Sequence, residues 1–242
     1  MQITKSVYLV SGANYDLLGN VYAIRGEKSV ALVDSGEPCA AEVIEASLRR
    51  WGMGDLPVTR LFLTHGHADH AGCAAYFQKK GAKLVVAEGD AHWLREGGFR
   101  ADRTPYGEGW TYPPCEADAV FSERSAFAFE DFRLTAYPLP GHTDGSSFFE
   151  MEDVGERTGG RPGRTVLFTG DTFSFDREID DHVLLCWKGS PDYDPVKLRK
   201  SFEFAAQEFS PDVILSGHGM PLLANGNAVI RAAARKFLVA YR

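Results

Sequence analysis

Apolar and polar positions alternate in short blocks along this chain, and the period of the blocks changes in a set order. "SVYLVSG", "NVYAIRG" and "KSVALVDSG" are brief β-rich runs bounded by Gly, Asn or Ser, which predicts antiparallel strands joined by tight turns. In "EPCAAEVIEASLRRWG" the period lengthens: Val43, Ile44, Leu48 and Trp51 fall at helical spacing, Pro38 sits near a first turn, and Gly52 follows the end. "TRLFLTH" predicts the next strand, and "ADHAGCAAYFQKKGA" one helix with Asp69 as its cap and Gly81 as its stop. "KLVVAE" reads as a strand and "GDAHWLREGG" as a short helix. Periodicity is then lost over residues 97–118, rich in Gly, Pro and aromatics, and an unpatterned stretch of that length predicts an active-site loop.

Strand-like runs return at "FAFEDFRLTAYPLPG", "SSFFEME" and "TVLFTGDTFSF", with the polar "DVGERTGGRPGR" as a hairpin tip between the last two. "DPVKLRKSFEFAAQEF" predicts an amphipathic helix, "DVILSGHG" a strand, and "NAVIRAAARKFLVAYR" a helix with one apolar face. The order strands, helix, strand, helix thus occurs twice without a linker. That doubling predicts a single α/β domain over residues 1–242, with two sheets face to face and helices outside.

Composition narrows the class. With 44% hydrophobic and 24% charged residues in 242, disordered, collagen-like and coiled-coil chains are excluded. A net charge of -7 with no block of like charges argues against nucleic acid or an anionic membrane as partner, and decides nothing more. Cys39, Cys73, Cys115 and Cys186 are too scattered for a metal knuckle or a redox pair and read as free, mostly buried thiols. The opening "MQITKSVYLVSGANYDLLGN" is interrupted before a signal-like apolar core builds up, and no apolar run approaches the roughly 18 residues of a membrane span. A cytoplasmic location is the resulting expectation.

The chemistry concentrates in "LFLTHGHADHAG", which places three of the seven histidines and an aspartate directly behind an apolar run. His65 and His67 alternate as a strand end dictates, and Asp69 and His70 belong to the turn and first helical residues, so all four can point toward one spot. Imidazole and carboxylate together suit zinc, manganese or iron. Three later segments repeat the design of an apolar strand ending in a metal-type ligand: "AYPLPGHTDGS" with His142, "VLFTGDTF" with Asp171 and "VILSGHGMP" with His218. Each ligand follows a glycine, which lets the backbone turn sharply and approach an ion. His92 and His182 lack such surroundings and read as structural or solvated.

These four motifs, in this order, resemble those of the metallo-β-lactamase superfamily: HxHxDH, then histidine in "PGHT", aspartate in "GD" and histidine in "GHG"; "ALVDSG" at Asp34 resembles its first motif. The resemblance implies a four-layer αββα sandwich of two mixed sheets with helices outside. It further implies that His65, His67 and His142 hold one metal, that Asp69, His70 and His218 hold a second, and that Asp171 bridges them together with a hydroxide. Asp69 and Asp171 are then the catalytic pair, Asp69 orienting the hydroxide, and Asp34 is a supporting acid rather than a ligand. The implied activity is that of a metal-dependent hydrolase with two divalent ions, zinc foremost and iron or manganese as alternatives, acting on an ester, thioester or lactone-like bond of a small molecule.

Two other readings attach to the same motifs: a mononuclear-iron, persulfide dioxygenase-like oxidoreductase, and a non-catalytic metal-binding protein. The chain ends about two dozen residues after His218, so the helical domain that binds glutathione in typical hydroxyacylglutathione hydrolases is expected to be missing. The intact second-metal set differs from the flavodiiron branch, and a basic exosite of the kind a processing nuclease needs is not visible. Trp93, Phe99, Tyr106, Trp110 and Tyr112, with "DDHVLLCWKGSPDYD", are expected to flank the cleft as an aromatic wall for a partly apolar substrate, unless they merely pack the loop. Lys188, Tyr193 and Tyr15 are candidate donors to a substrate carbonyl.

Overall fold

Runs such as Val7–Ser11 and Val30–Val33 are β-branched or apolar at nearly every position, a composition that suits strands covered on both faces, and every residue in both is buried. The computed structural model of the protein describes residues 1–12, 15–99, 110–153, 163–175, 183–185 and 187–240. In chain order the first half comprises β1 (Val7–Ser11), β2 (Val21–Arg25), β3 (Val30–Val33), α1 (Ala41–Arg50), β4 (Val58–Phe62), α2 (Ala68–Ala71), α3 (Ala74–Lys79), β5 (Lys83–Ala87), α4 (Ala91–Glu96), β6 (Gly98–Phe99), β7 (Trp110–Thr111) and β8 (Ala119–Phe121). The second half comprises β9 (Ser125–Phe129), β10 (Phe132–Pro138), β11 (Ser147–Glu152), β12 (Thr165–Gly170), β13 (Phe173–Phe175), β14 (Val183–Leu185), α5 (Pro195–Glu208), β15 (Val213–Ser216) and α6 (Gly226–Ala240).

Two mixed sheets result. One has the order β1-β2-β3-β4-β5-β8, antiparallel through β3 and parallel from there on. The other has the order β15-β12-β11-β10-β9, antiparallel except for the β12–β15 pair. Strand periodicity of two sorts their side chains into layers. Val7, Leu9, Phe62 and Val85 of the first sheet meet Leu134, Phe149, Val166 and Phe168 of the second in a shared core, where Phe62 and Phe149 lie 5.5 Å apart. The intervening residues face outward: Leu32, Leu61 and Leu84 pack under Ile44, Leu48 and Phe77 of α1 and α3, and Phe148, Leu167 and Ile214 pack under Leu198, Phe202 and Phe237 of α5 and α6. The predicted αββα sandwich is therefore the observed fold.

Three local expectations change. The helix expected over "ADHAGCAAYFQKKGA" is two, α2 and α3, broken at Cys73, which has φ -99° and ψ 12° and whose N–H donates to Ser35 Oγ; at the preceding Gly72 a Cβ would lie 2.5 Å from the Pro38 nitrogen and 2.6 Å from the Glu37 carbonyl carbon. Asp69 does not cap α2: His67 holds the cap position, and the Asp69 carboxylate is turned to His70 and His218. "FAFEDFRLTAYP" is a hairpin rather than one run, because Glu130 adopts φ 48° and its carboxylate accepts hydrogen bonds from the backbone of Glu27 and Lys28 and from the Ser29 hydroxyl.

Of the loop expected over 97–118, residues 100–109, with Tyr106, lie outside the described residues; the flanking pieces pair as the β6–β7 ribbon. Most of the tip "DVGERTGGRPGR", His182 and Cys186 also lie outside them. Among the described residues Cys39 is exposed, Cys73 buried and Cys115 between, all as free thiols. No described helix is long and apolar enough to cross a membrane.

Candidate metal centre

The site forms where strands of both sheets end. β4 stops at Phe62 and the chain runs through His65 and His67 into α2, which carries Asp69 and His70. His142 follows β10, Asp171 follows β12 directly, and His218 follows β15, the parallel neighbour of β12. Glycine is required at two of these junctions. At Gly217 a Cβ would lie 2.1 Å from Asp171 Oδ1 and 2.6 Å from His70 Cε1, and Gly170 has φ +50° with Thr64 Oγ1 only 2.7 Å from where its Cβ would stand.

All seven predicted side chains converge, in two groups: His65, His67 and His142, and Asp69, His70, Asp171 and His218, with the facing atoms of each group within 4.8 Å of one another. In the first, His67 Nδ1 lies 3.1 Å from His65 Nε2 and 3.2 Å from His142 Nε2. In the second, His70 Nε2 and His218 Nε2 are 3.4 Å apart, and Asp69 Oδ2 is 3.1 Å from His218 Nε2. Asp171 faces both groups: its Oδ2 is 3.0 Å from His218, 3.7 Å from His142 and 3.9 Å from His65, and its Oδ1 is 3.2 Å from His70. That Oδ1 is buried yet accepts no well-directed hydrogen bond.

The outer nitrogen of each of these five histidines is occupied. His70 Nδ1 meets Asp34 Oδ2 at 3.0 Å, His142 Nδ1 the Trp187 carbonyl at 3.1 Å, and His218 Nδ1 the Leu18 carbonyl at 3.1 Å. His65 Nδ1 meets Thr64 Oγ1 at 3.1 Å, and that hydroxyl donates to Asp34. His67 Nε2 meets Ser190 Oγ at 3.0 Å, and the Ser190 hydroxyl donates to Asp192. With protons fixed on the outer nitrogens, lone pairs converge inward. Nitrogens 3.1–3.4 Å apart with nothing between them repel, whereas tetrahedral bonds of about 2.0–2.1 Å to one ion place neighbouring nitrogens about 3.3 Å apart. The donor set and its spacing fit divalent cations.

Electrostatics divides the groups. Burial, and then the charges of neighbouring histidines, lower His65 and His67, His67 to about 3; burial lowers His142 as well. Burial opposes charge on His70 and His218 too, but Asp171 and Asp69 overcome it, raising His70 well above its ordinary value and His218 to about 10. Reciprocally, burial disfavours ionised Asp69 and Asp171, yet His70 and His218 hold both well below the usual carboxylate range.

Asp34 occupies a left-handed conformation, φ 61°, from which it accepts hydrogen bonds from Thr64 N, Thr64 Oγ1 and His70. Sequence reasoning missed Thr64, Ser190 and Asp90. The buried Asp90 carboxyl accepts from Gly66 N at 2.7 Å, Gly145 N at 2.6 Å and Thr143 Oγ1 at 2.8 Å, tying the His65–His67 segment to the His142 loop. Burial, aided by Asp192, pushes Asp90 up to about 7. Of the proposed carbonyl-polarising donors, Tyr15 donates to the Leu9 carbonyl and Tyr193 packs under α5, while Lys188 is exposed; none lines the cavity over the site.

Ser190→Ala should weaken binding at His65, His67 and His142 about tenfold to a hundredfold while sparing the other group. Competition against a chromophoric chelator measures both sites, and unchanged affinity at the first would remove Ser190 as its support.

Comparison with known proteins bears on the family and on the fold. The profile of the metallo-beta-lactamase superfamily matches residues 14–156. Over 189 residues the chain is 30% identical to a hydroxyacylglutathione hydrolase of Anaeromyxobacter dehalogenans, covering 75% of this chain and 53% of that protein, so it spans about half of that relative's length. Over 212 residues it is 29% identical to metallo-beta-lactamase domain-containing protein 1 of Xenopus laevis, covering 88% and 75%. In fold it is similar to a subclass B3 metallo-beta-lactamase of Bradyrhizobium japonicum, with a TM-score of 0.77 at 23% identity over 100% of this chain and 91% of that one. The metallo-beta-lactamase GOB-18 from Elizabethkingia meningoseptica matches with a TM-score of 0.75 at 22% identity, over 100% and 90%.

Proposed function

The chain belongs to the metallo-β-lactamase superfamily, and from that premise we propose that it is a hydrolase holding two divalent ions, zinc foremost, that cleaves an ester, thioester or lactone-like bond of a small molecule. The observation that carries this reading is the position of Asp171, whose carboxylate faces His218 and His70 on one side and His142 and His65 on the other. His65, His67 and His142 would hold one ion, and Asp69, His70 and His218 the other. Two ions sharing a water lower its pKa toward about 7 and polarise the bond to be cleaved. The chain's own residues do the rest. Asp69, kept ionised by His70 and His218 and lining the cavity, would orient the attacking water by accepting its hydrogen bond. Asp34, Thr64 and Ser190 hold a proton on the outward nitrogens of His70, His65 and His67, which leaves the inward nitrogen of each as the one to face an ion.

The completeness of the second group favours two-ion hydrolysis over a single-iron oxygenase, which needs only one set of ligands. The relative named as a hydroxyacylglutathione hydrolase supports an acyl substrate class. The test is turnover of a panel of simple thioesters, lactones and phosphodiesters before and after chelation. Chelator-sensitive cleavage of thioesters or lactones is expected; tight metal with no turnover would favour a binding protein, and one iron with oxygen uptake on a persulfide would favour the oxygenase.

The electrostatic division makes a second prediction. His65, His67 and His142 are lowered and already neutral at pH 7, whereas His70 and His218 are raised and still protonated there. A cation entering the second group must expel those protons, so affinity there should rise with pH across the neutral range, while the first group's should stay level. Calorimetry in buffers of different ionisation enthalpy reads the protons released. Equal release at both sites would contradict the assignment.

A further inference from the structure

The cavity over the two groups measures about 390 Å³, and besides His67, Asp69, Asp171 and His218 it is lined by Leu18, Trp110 and Trp187. Two of these apolar side chains are unusually open to solvent, Leu18 at 54% and Trp187 at 39%. Their main chains are tied to the site. The Leu18 carbonyl accepts from His218 and the Trp187 carbonyl from His142, so each is anchored through its main chain to a histidine of one group. Trp110, on β7, stacks on Trp187 with ring centres 6.1 Å apart and planes 20° from parallel, and the Trp187 ring meets the His67 ring edge-on at 6.0 Å. The result is an apolar shelf beside the cage.

Among the described residues that line the cavity there is no Lys or Arg, and its carboxylates, Asp69 and Asp171, are turned to the histidines. Away from the two groups, the described lining offers an anionic arm no basic side chain. An uncharged apolar arm would find two indole faces and a leucine, surface that gains by being covered.

Resting on the hydrolase reading above, we infer that the substrate carries an uncharged apolar arm, alkyl or aryl, next to the scissile bond, and that Trp110, Trp187 and Leu18 are the residues that select it. Octanoyl, acetyl and suberyl thioesters of one small uncharged thiol separate the possibilities with the metal-loaded protein. The octanoyl ester should exceed the acetyl ester in kcat/KM by about fiftyfold, the worth of three of its six extra methylenes buried. It should exceed the suberyl ester, its chain-matched analogue with a terminal carboxylate, by a similar factor. Trp110→Ala should shrink the octanoyl-to-acetyl ratio about tenfold, with Trp110→Leu, which keeps an apolar side chain, falling between. Octanamide, an uncleaved analogue, should bind with a saturable change in tryptophan fluorescence that Trp110→Ala diminishes.

Acetyl or suberyl esters cleaved as well as octanoyl would overturn the apolar arm while leaving the hydrolase intact. If no thioester is cleaved, the thioester branch of the hydrolase reading falls on its own and fluorescence decides the shelf: saturable octanamide binding supports it, and no response overturns it.

Discussion

Replacing Asp171 with alanine should cost the protein its paired site, with bound metal falling below two ions per chain and kcat/KM dropping on the order of 10³-fold or more. Among the described residues Asp171 is the carboxylate whose oxygens face both groups, at 3.0–3.2 Å on the His218 and His70 side and 3.7–3.9 Å on the His142 and His65 side. The loss also exposes a conflict it now settles. His70 and His218 approach to 3.4 Å and owe their raised proton affinity first to Asp171, so the variant should titrate both histidines at lower pH. Elemental analysis and histidine NMR check the two halves separately. A variant that kept two ions and unmoved histidines would show that Asp171 merely sits between the groups.

Asp34→Ala should be the most costly change away from the cage interior. It removes the acceptor for three buried donors, Thr64 N, Thr64 Oγ1 and His70 Nδ1, and leaves the raised His70 without one of its supporting carboxylates. Stranding these donors costs about 3–5 kcal/mol of folding stability. The cage should suffer on both sides, because Thr64 passes the hydrogen bond on to His65 in the first group while His70 belongs to the second. Urea denaturation of the metal-free protein measures the first effect. A change within about 0.5 kcal/mol would mean that water replaces Asp34 without loss.

What could be read from the sequence follows what the sequence encodes locally. Periods of two and 3.6 gave the sandwich because each strand shows one face to the other sheet and one to a helix, as Val166 and Phe168 do against Leu167. The cage was legible because imidazole and carboxylate behind an apolar strand are chemically conspicuous. Its supports were not. Two are main-chain carbonyls, of Leu18 and Trp187, which any residue could supply, and Ser190 and Thr64 look like ordinary loop residues until the fold brings them to a histidine. Asp90 was hidden for a different reason: an acid just before a helix reads as a cap, but its side chain makes no cap bond and joins two ligand loops instead. The break between α2 and α3 was missed because it is set at Cys73, whose N–H donates to Ser35 Oγ and whose thiol donates to the Glu37 carbonyl, contacts distant in sequence.

Anomalous diffraction from crystals of the protein saturated with zinc tests the central claim most directly. The account predicts two peaks per chain, one bounded by His65, His67 and His142, the other by Asp69, His70 and His218, with Asp171 within bonding reach of both. A single peak, or none among these seven side chains, would contradict it.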